Sequence, residues 1–271
     1  MFACNPTEEF PEGEKQLVID GWIEQGAPAQ AITSYTSSFL TELDSISALS
    51  FMEAKAKVTV SQFDINEILT LKPSPIYFPP LVYQGQAIKG VTGKTYKLEV
   101  SLKNQIYTAT ATIPPAPIVD SVWMEAVNDS MGIIRIKIND PASEHNYYRI
   151  YTQRYILDSH PIAAYLPNYS DDLFNGKQLE IPVFRGSASN LDREKGLYFN
   201  LNDFVLVKVC SMDKATYDYW NQVQVQLSGS KNPFASHGKS LPTNLSNNAI
   251  GFWCAYGVYK KWVMPSSLKR K

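Results

Sequence analysis

Apolar and polar residues alternate along most of this chain, and the period is two far more often than it is helical. The cleanest run is 94–102, where Tyr96, Leu98, Val100 and Leu102 share one face and Lys97, Glu99 and Ser101 the other. Successive side chains of a strand point to opposite faces, so this pattern predicts a strand with one face buried. Lys103-Asn104-Gln105 supplies a turn, and 106–113 predicts the returning strand, with Tyr107, Ala109, Ala111 and Ile113 on its inner face. Nearer the start, 17–24 repeats the pattern: Leu17, Ile19 and Ile23 fall on one face, Asp20, Trp22 and Glu24 on the other. Gln25-Gly26-Ala27-Pro28 turns the chain into a second strand over 31–36. Val58 and Val60 alternate within a strand over 56–61. The stretch 64–71 fits either a short helix or an extended segment, 41–52 fits no element firmly, and 73–80 is too rich in proline for a central strand.

Beyond Pro114-Pro115-Ala116-Pro117 the pattern resumes. Prolines fix φ and stiffen a connection, so the domain boundary is placed there. Strands are predicted over 133–138 and 147–157, joined through Asn139-Asp140-Pro141-Ala142, with Tyr148, Ile150, Thr152 and Ile156 on one face of the second. The segment 157–178 reads as a loop-like insert, with Pro161, Pro167 and Asn175-Gly176, and further strands are predicted over 204–210 and 251–258. One stretch, 213–227, has a helical period, carried by Tyr217, Trp220, Val223 or Gln224, and Leu227. Asp213 suits its N-cap and Gly229 its stop, while Tyr219 and Val225 sit off the stripe, which is read as core. The fold expected is therefore mainly β. An immunoglobulin-like β-sandwich over 16–113 is followed, after the proline linker 114–117, by a second β-rich domain over 118–265 that carries the helix. Residues 1–15 read as a tether and 266–271 as a basic tail.

Composition agrees. Of the 271 residues, 44% are apolar, enough for sizeable cores, and the 16 tyrosines favour pleated surfaces. The net charge of -1 and a single basic run, Lys269-Arg270-Lys271, argue against a nucleic-acid binder. No apolar stretch is long enough to span a bilayer as a helix.

Motifs for chemistry are few. His145, His160 and His237 lack the spacing of a metal pair, and each is read as a loop histidine. Asp171-Asp172 with Asn175-Gly176 lacks the alternating carboxylates of a calcium loop and is read as a surface turn. Gly186-Ser187-Ala188-Ser189 is not a nucleophile elbow. No catalytic residue, metal ligand or cofactor is singled out, and the chain is not expected to be an enzyme. Two aromatic groups remain as candidate contacts for a small molecule, a glycan, a peptide or a partner protein: Tyr77 and Phe78 with Tyr83, and Tyr165 with Tyr169. The alternative is that they fold back onto their own sandwich. Cys210 and Cys254 both lie in predicted strands and are either a disulfide pair or two buried hydrophobes.

Met1-Phe2-Ala3-Cys4 resembles the end of a bacterial lipoprotein signal, in which the cysteine becomes the acylated first residue. Glu8, Glu9, Glu12 and Glu14 resemble the acidic surface-export signal of Bacteroidota lipoproteins. The plainer readings are a free thiol and a solvated linker.

The order of several segments is similar to that of the Bacteroidota lipoprotein family known as domain of unknown function 4249. The matching stretches begin with Leu17-Val18-Ile19-Asp20-Gly21-Trp22-Ile23 and Ala56-Lys57-Val58-Thr59-Val60. Gly93-Lys94-Thr95-Tyr96-Lys97-Leu98, Ala111-Thr112-Ile113-Pro114 and Asp140-Pro141 follow. Asn146-Tyr147-Tyr148-Arg149, Asn232-Pro233-Phe234 and 244–251 complete the series, which spans nearly the whole chain. Asn146-Tyr147-Tyr148-Arg149 is also readable as a strand start whose tyrosines pack and whose arginine caps a loop. The resemblance implies a surface-facing, lipid-anchored protein of the outer membrane, with an accessory role beside a TonB-dependent β-barrel transporter in nutrient uptake. A structural or adhesive surface protein is the alternative, and a glycan-acting hydrolase a third. The resemblance supplies no binding or catalytic residue.

Overall fold

The computed structural model describes residues 15–36, 51–77, 80–172, 174–186, 196–229 and 241–265. Among them the chain is mainly β, with sandwich-like layers and a single α-helix. Eight strands form one large sheet. In order across it they are Ile162–Ser170 (β12), Tyr147–Arg154 (β11), Val205–Met212 (β15), Ile250–Val263 (β16), Leu17–Glu24 (β1), Pro28–Tyr35 (β2), Leu81–Lys89 (β6) and Thr70–Pro73 (β5). All neighbours are antiparallel except β1 and β16, the first strand and the last, which run parallel. A hairpin cannot join a parallel pair, and here nearly the whole chain serves as the crossover. Two four-stranded sheets complete the architecture. Ile65–Ile68 (β4), Lys57–Gln62 (β3), Thr95–Leu102 (β7) and Gln105–Thr112 (β8) form one. Val119–Ala126 (β9), Gln178–Val183 (β13) and Phe199–Asn200 (β14) pair around Met131–Asn139 (β10) in the other.

The two-residue alternation decides how these sheets stack. Leu17, Ile19 and Ile23 of β1, with Trp253 and Ala255 of β16, bury against Val58, Val60, Tyr96, Leu98 and Val100. Tyr148, Ile150, Val205, Val207, Val209 and Val263 bury against Ile134, Ile136 and Ile138. β16 feeds both cores with its odd-numbered residues, so both small sheets lie on the same face of the large one. Its even-numbered Phe252, Cys254 and Tyr256 look out of the opposite face, beside Cys210 and Met212. There the helix α1, Lys214–Gly229, covers them.

Trp253 is fully buried at the centre, and its surroundings are built for it. The indole N–H donates to the Tyr96 carbonyl at 3.1 Å, and Asn244 brackets its backbone, accepting from the amide and donating to the carbonyl at 2.9 Å each. Gly21 leaves room for the ring, since a Cβ there would come within 2.7 Å of it.

Several expectations change. The segment 64–71 is extended, divided between β4 and β5. The supposed loop 157–178 contains β12, an edge strand whose pairing shifts between Arg149 and Tyr151, and Pro167 sits in that irregularity. An edge with a broken ladder is where a strand tolerates proline. Ile156, expected on the inner face with Tyr148, is instead 85% exposed in the turn after β11, at φ 67°. The prolines of 114–117 lie against the sheet: a Cβ on Gly257 would meet the Pro114 carbonyl oxygen at 2.4 Å, and the Ser211 hydroxyl donates to the Pro115 carbonyl. The second core is drawn from residues after that segment, but the first combines residues before it with Leu245, Ala249 and β16 from after it, and β16, in both cores, joins the halves into one sheet.

The disulfide is corrected by register. Cys210 faces Val258, four residues along β16 from Cys254. At roughly 3.4 Å per residue the two are about 14 Å apart, far beyond bridging distance. Both are free and buried.

Candidate functional site

The outer face of the large sheet is only partly covered, and the uncovered part is a pocket. Its roof begins at Asp213, whose carboxylate accepts the Thr216 N–H at 2.8 Å and caps α1. The arc turned towards the sheet is Thr216, Tyr219, Trp220 and Val223, an i, i+3, i+4, i+7 set. Tyr219, expected off the stripe, is the most deeply buried aromatic of the helix. It stacks on Phe252 with ring centroids 4.9 Å apart, and its hydroxyl donates to Asp20 Oδ1 at 3.0 Å. The polar Thr216 in that arc is why the sequence stripe points elsewhere. Trp220 Nε1 donates to the Tyr256 hydroxyl at 2.7 Å and ties the helix to β16.

Beside this contact lies a cavity of about 580 Å³, within the usual range for small-molecule sites. Trp22, Tyr77, Tyr151, Trp220, Phe252 and Tyr256 provide its aromatic walls. Tyr77 meets Trp22 edge-on at 5.4 Å and donates to Gln30 Oε1 at 2.9 Å. The floor is the β1 face that alternation sets opposite the core: Asp20, Trp22 and Glu24. In a sandwich such a face meets water; here it faces a half-open space with aromatic walls.

The charges around the pocket are unevenly satisfied. Glu24 is ion-paired to the buried Lys208, and Lys260 lies 3.7 Å from its other oxygen. Burial pulls the Lys208 ammonium down, but the groups around it, Cys210 and Glu24 foremost, raise its pKa above the ordinary range. Arg149 does not cap a loop. It is buried under α1, its guanidinium 3.9 Å from the Trp220 ring centroid, donating to Asn168 Oδ1 at 2.6 Å and to the Tyr151 hydroxyl at 2.9 Å. Asn168 in turn donates to Asn221 at 3.0 Å, fastening β12 to the helix.

Asp20 is different. It is the exposed residue of β1, and its carboxylate opens onto the pocket. Desolvation raises its pKa above the usual carboxylate range, opposed by the Tyr219 hydroxyl bond. Among the described residues no cation pairs with it. Burial also pushes the thiols of Cys210 and the pocket-lining Cys254 up to about 12, so both are inert at neutral pH.

Of the aromatic contacts expected from sequence, Tyr77 stands in the pocket wall and Phe78 lies outside the described residues. Tyr83 is corrected: it is 4% exposed in β6 and belongs to the first core. Tyr165 is exposed on β12, and Tyr169 packs against the second core; neither lines the pocket. Cys4, the acidic residues behind it and the basic end 266–271 also lie outside the described residues. Asp20, Trp22, Trp220 and Phe252 escape sequence reading because they come from strands and a helix far apart in the chain.

Away from the pocket, His145, Asp171 and Asp172 bring ligand atoms within 4.8 Å of one another. The fully buried Asp171 already accepts the Asn146 N–H at 2.7 Å and contacts His145 Nδ1 at 3.1 Å, which anchors the turn before β11.

One protein family, described as Domain of unknown function (DUF4249), matches residues 6–261 of the chain. No curated protein matches it.

Proposed function

The chain belongs to the DUF4249 family, and from that footing we propose that it is a non-catalytic binding subunit, taking up a small organic ligand between α1 and the large sheet. The aromatic cavity of about 580 Å³ carries this reading. Apolar walls with a few placed polar groups are how small-molecule sites achieve both affinity and orientation. The polar groups present favour holding over reacting. Glu24 is engaged by two lysines, and the thiol of Cys254 stays protonated.

The setting we propose is the outer face of a bacterial outer membrane. The support is the Ala3-Cys4 pattern, with its acidic run, and the resemblance noted above. Acyl chains on Cys4 would hold the protein at the membrane, each buried methylene contributing about 0.8 kcal/mol. A neighbouring TonB-dependent β-barrel would receive what the pocket collects.

Two measurements test this. The full chain is exposed to a library of small metabolites and the bound species are read by native mass spectrometry. Trp22→Ala removes a wall and is expected to weaken any pocket ligand by ten-fold or more, as loss of a buried aromatic anchor does. Binding that is indifferent to Trp22→Ala would defeat the pocket assignment. Turnover that is lost in Asp20→Asn would replace binding with catalysis. Separately, Cys4→Ser is expected to move the protein from the membrane to the soluble fraction of its host.

A further inference from the structure

We propose that the ligand class of this pocket is an organic cation: a ring or chain bearing an amine, seated with its charge at Asp20 and its apolar part against Trp22, Tyr77 and Phe252. The inference rests on the pocket being a ligand site, and it comes from the charges that the protein leaves unmatched there.

The cations near the cavity are already engaged. Lys208 and Lys260 converge on Glu24. Arg149 donates to Asn168 and Tyr151 and lies over the Trp220 ring. The groups that face Asp20 are the Tyr219 hydroxyl from α1, which donates to Oδ1, and the buried, protonated Cys254 thiol from β16. Neither brings a positive charge. The carboxylate opens onto the pocket, and among the described residues one of its oxygens has no donor.

Asp20 reaches solvent through the open side of the pocket and has no protein counter-charge, so a ligand that brings one forms an ion pair there, strengthened as the ligand displaces water from the site. An anionic ligand would meet repulsion at the same position. The walls point the same way, since the electron-rich faces of Trp, Tyr and Phe attract cations. The protein uses that attraction itself: Arg149 lies over Trp220, and the Lys208 ammonium is 4.9 Å from the Tyr151 ring centroid. A neutral ring would gain the apolar contacts and leave Asp20 unmatched.

Three probes of one shape and different charge test the proposal: phenethylamine, 2-phenylethanol and phenylacetate, each titrated into the full chain and followed by NMR. The amine is expected to bind at least ten-fold more tightly than the alcohol, and phenylacetate more weakly than either. Asp20→Asn should bring amine and alcohol to equal affinity, and Asp20→Glu should retain the preference. Circular dichroism confirms that each variant is folded. Equal binding of amine and alcohol to the unaltered protein, a preference that survives Asp20→Asn, or tighter binding of phenylacetate overturns the cation and leaves the pocket standing. Binding of none of the three also overturns it, and the pocket is then judged by the Trp22→Ala comparison alone.

Discussion

At the scale of single residues, the pocket is decided by what is absent around Asp20. Its neighbour on the same strand face, Glu24, is neutralised by Lys208, and the difference is one of position: Glu24 reaches β15 and the end of β16, while Asp20 reaches only the Tyr219 hydroxyl. A carboxyl whose pKa is raised by folding holds its proton more tightly in the fold. The stability this provides is complete below its ordinary value of 3.8 and is lost as pH rises through the folded pKa. Asp20→Asn never ionises, so its melting temperature should exceed that of the unaltered protein at pH 7 by a small margin, because solvent reaches the carboxylate, and the two should converge at about pH 3. Thermal melts at both pH values check this; equal shifts at both would show that the carboxylate costs nothing. The residues of the two-fold pattern were legible without the structure. That Asp20 looks into an aromatic pocket was not, because alternation assigns a face and says nothing of what lies beyond it.

Elements show where local signals suffice. α1 begins where Asp213 caps it and runs as its spacing predicts, because capping and period act within a few residues of chain. Asp213→Ala is expected to cost about 1 kcal/mol of stability. Because α1 supplies Trp220 and Val223 to the pocket, the same change should weaken ligand binding more than a surface change further along the helix, such as Val225→Ala. Calorimetry of folding and of binding on the two variants makes the comparison, and equal binding by both would mean that the cap does not govern the pocket wall. The side of α1 that faces inwards was not legible. The first residue of its inward arc is a threonine, Thr216, buried at 1% exposure, and hydrophobicity alone would not choose it. Likewise β12 is hidden by Pro167, which a strand tolerates only because the sheet ends there.

At the scale of the whole molecule, the governing fact is that the last strand completes what the first begins. β16 lies between β15 and β1, and gives Trp253 and Ala255 to one core and Val263 to the other. The proline segment between the halves is held against Gly257 of the same strand. Removing 250–271 should therefore unfold both halves, and a fragment of residues 1–117 should show no cooperative melt, since loss of a buried tryptophan alone costs about 3–5 kcal/mol. Circular dichroism of both truncations tests this; a sharp transition in the shorter fragment would mean that its core closes without β16.

The sequence by itself determined the class of structure, most of the strands, the helix with its cap, and the split of β1 into an apolar and a polar face. Each follows from the geometry of neighbouring residues. Only the tertiary structure decided that β1 and β16 pair, that the two cysteines stand apart, and that the polar face of β1 becomes the floor of an aromatic pocket. Those outcomes depend on contacts between residues as distant as Asp20 and Tyr219, where the register of one strand against another sets the distance and no local pattern records it.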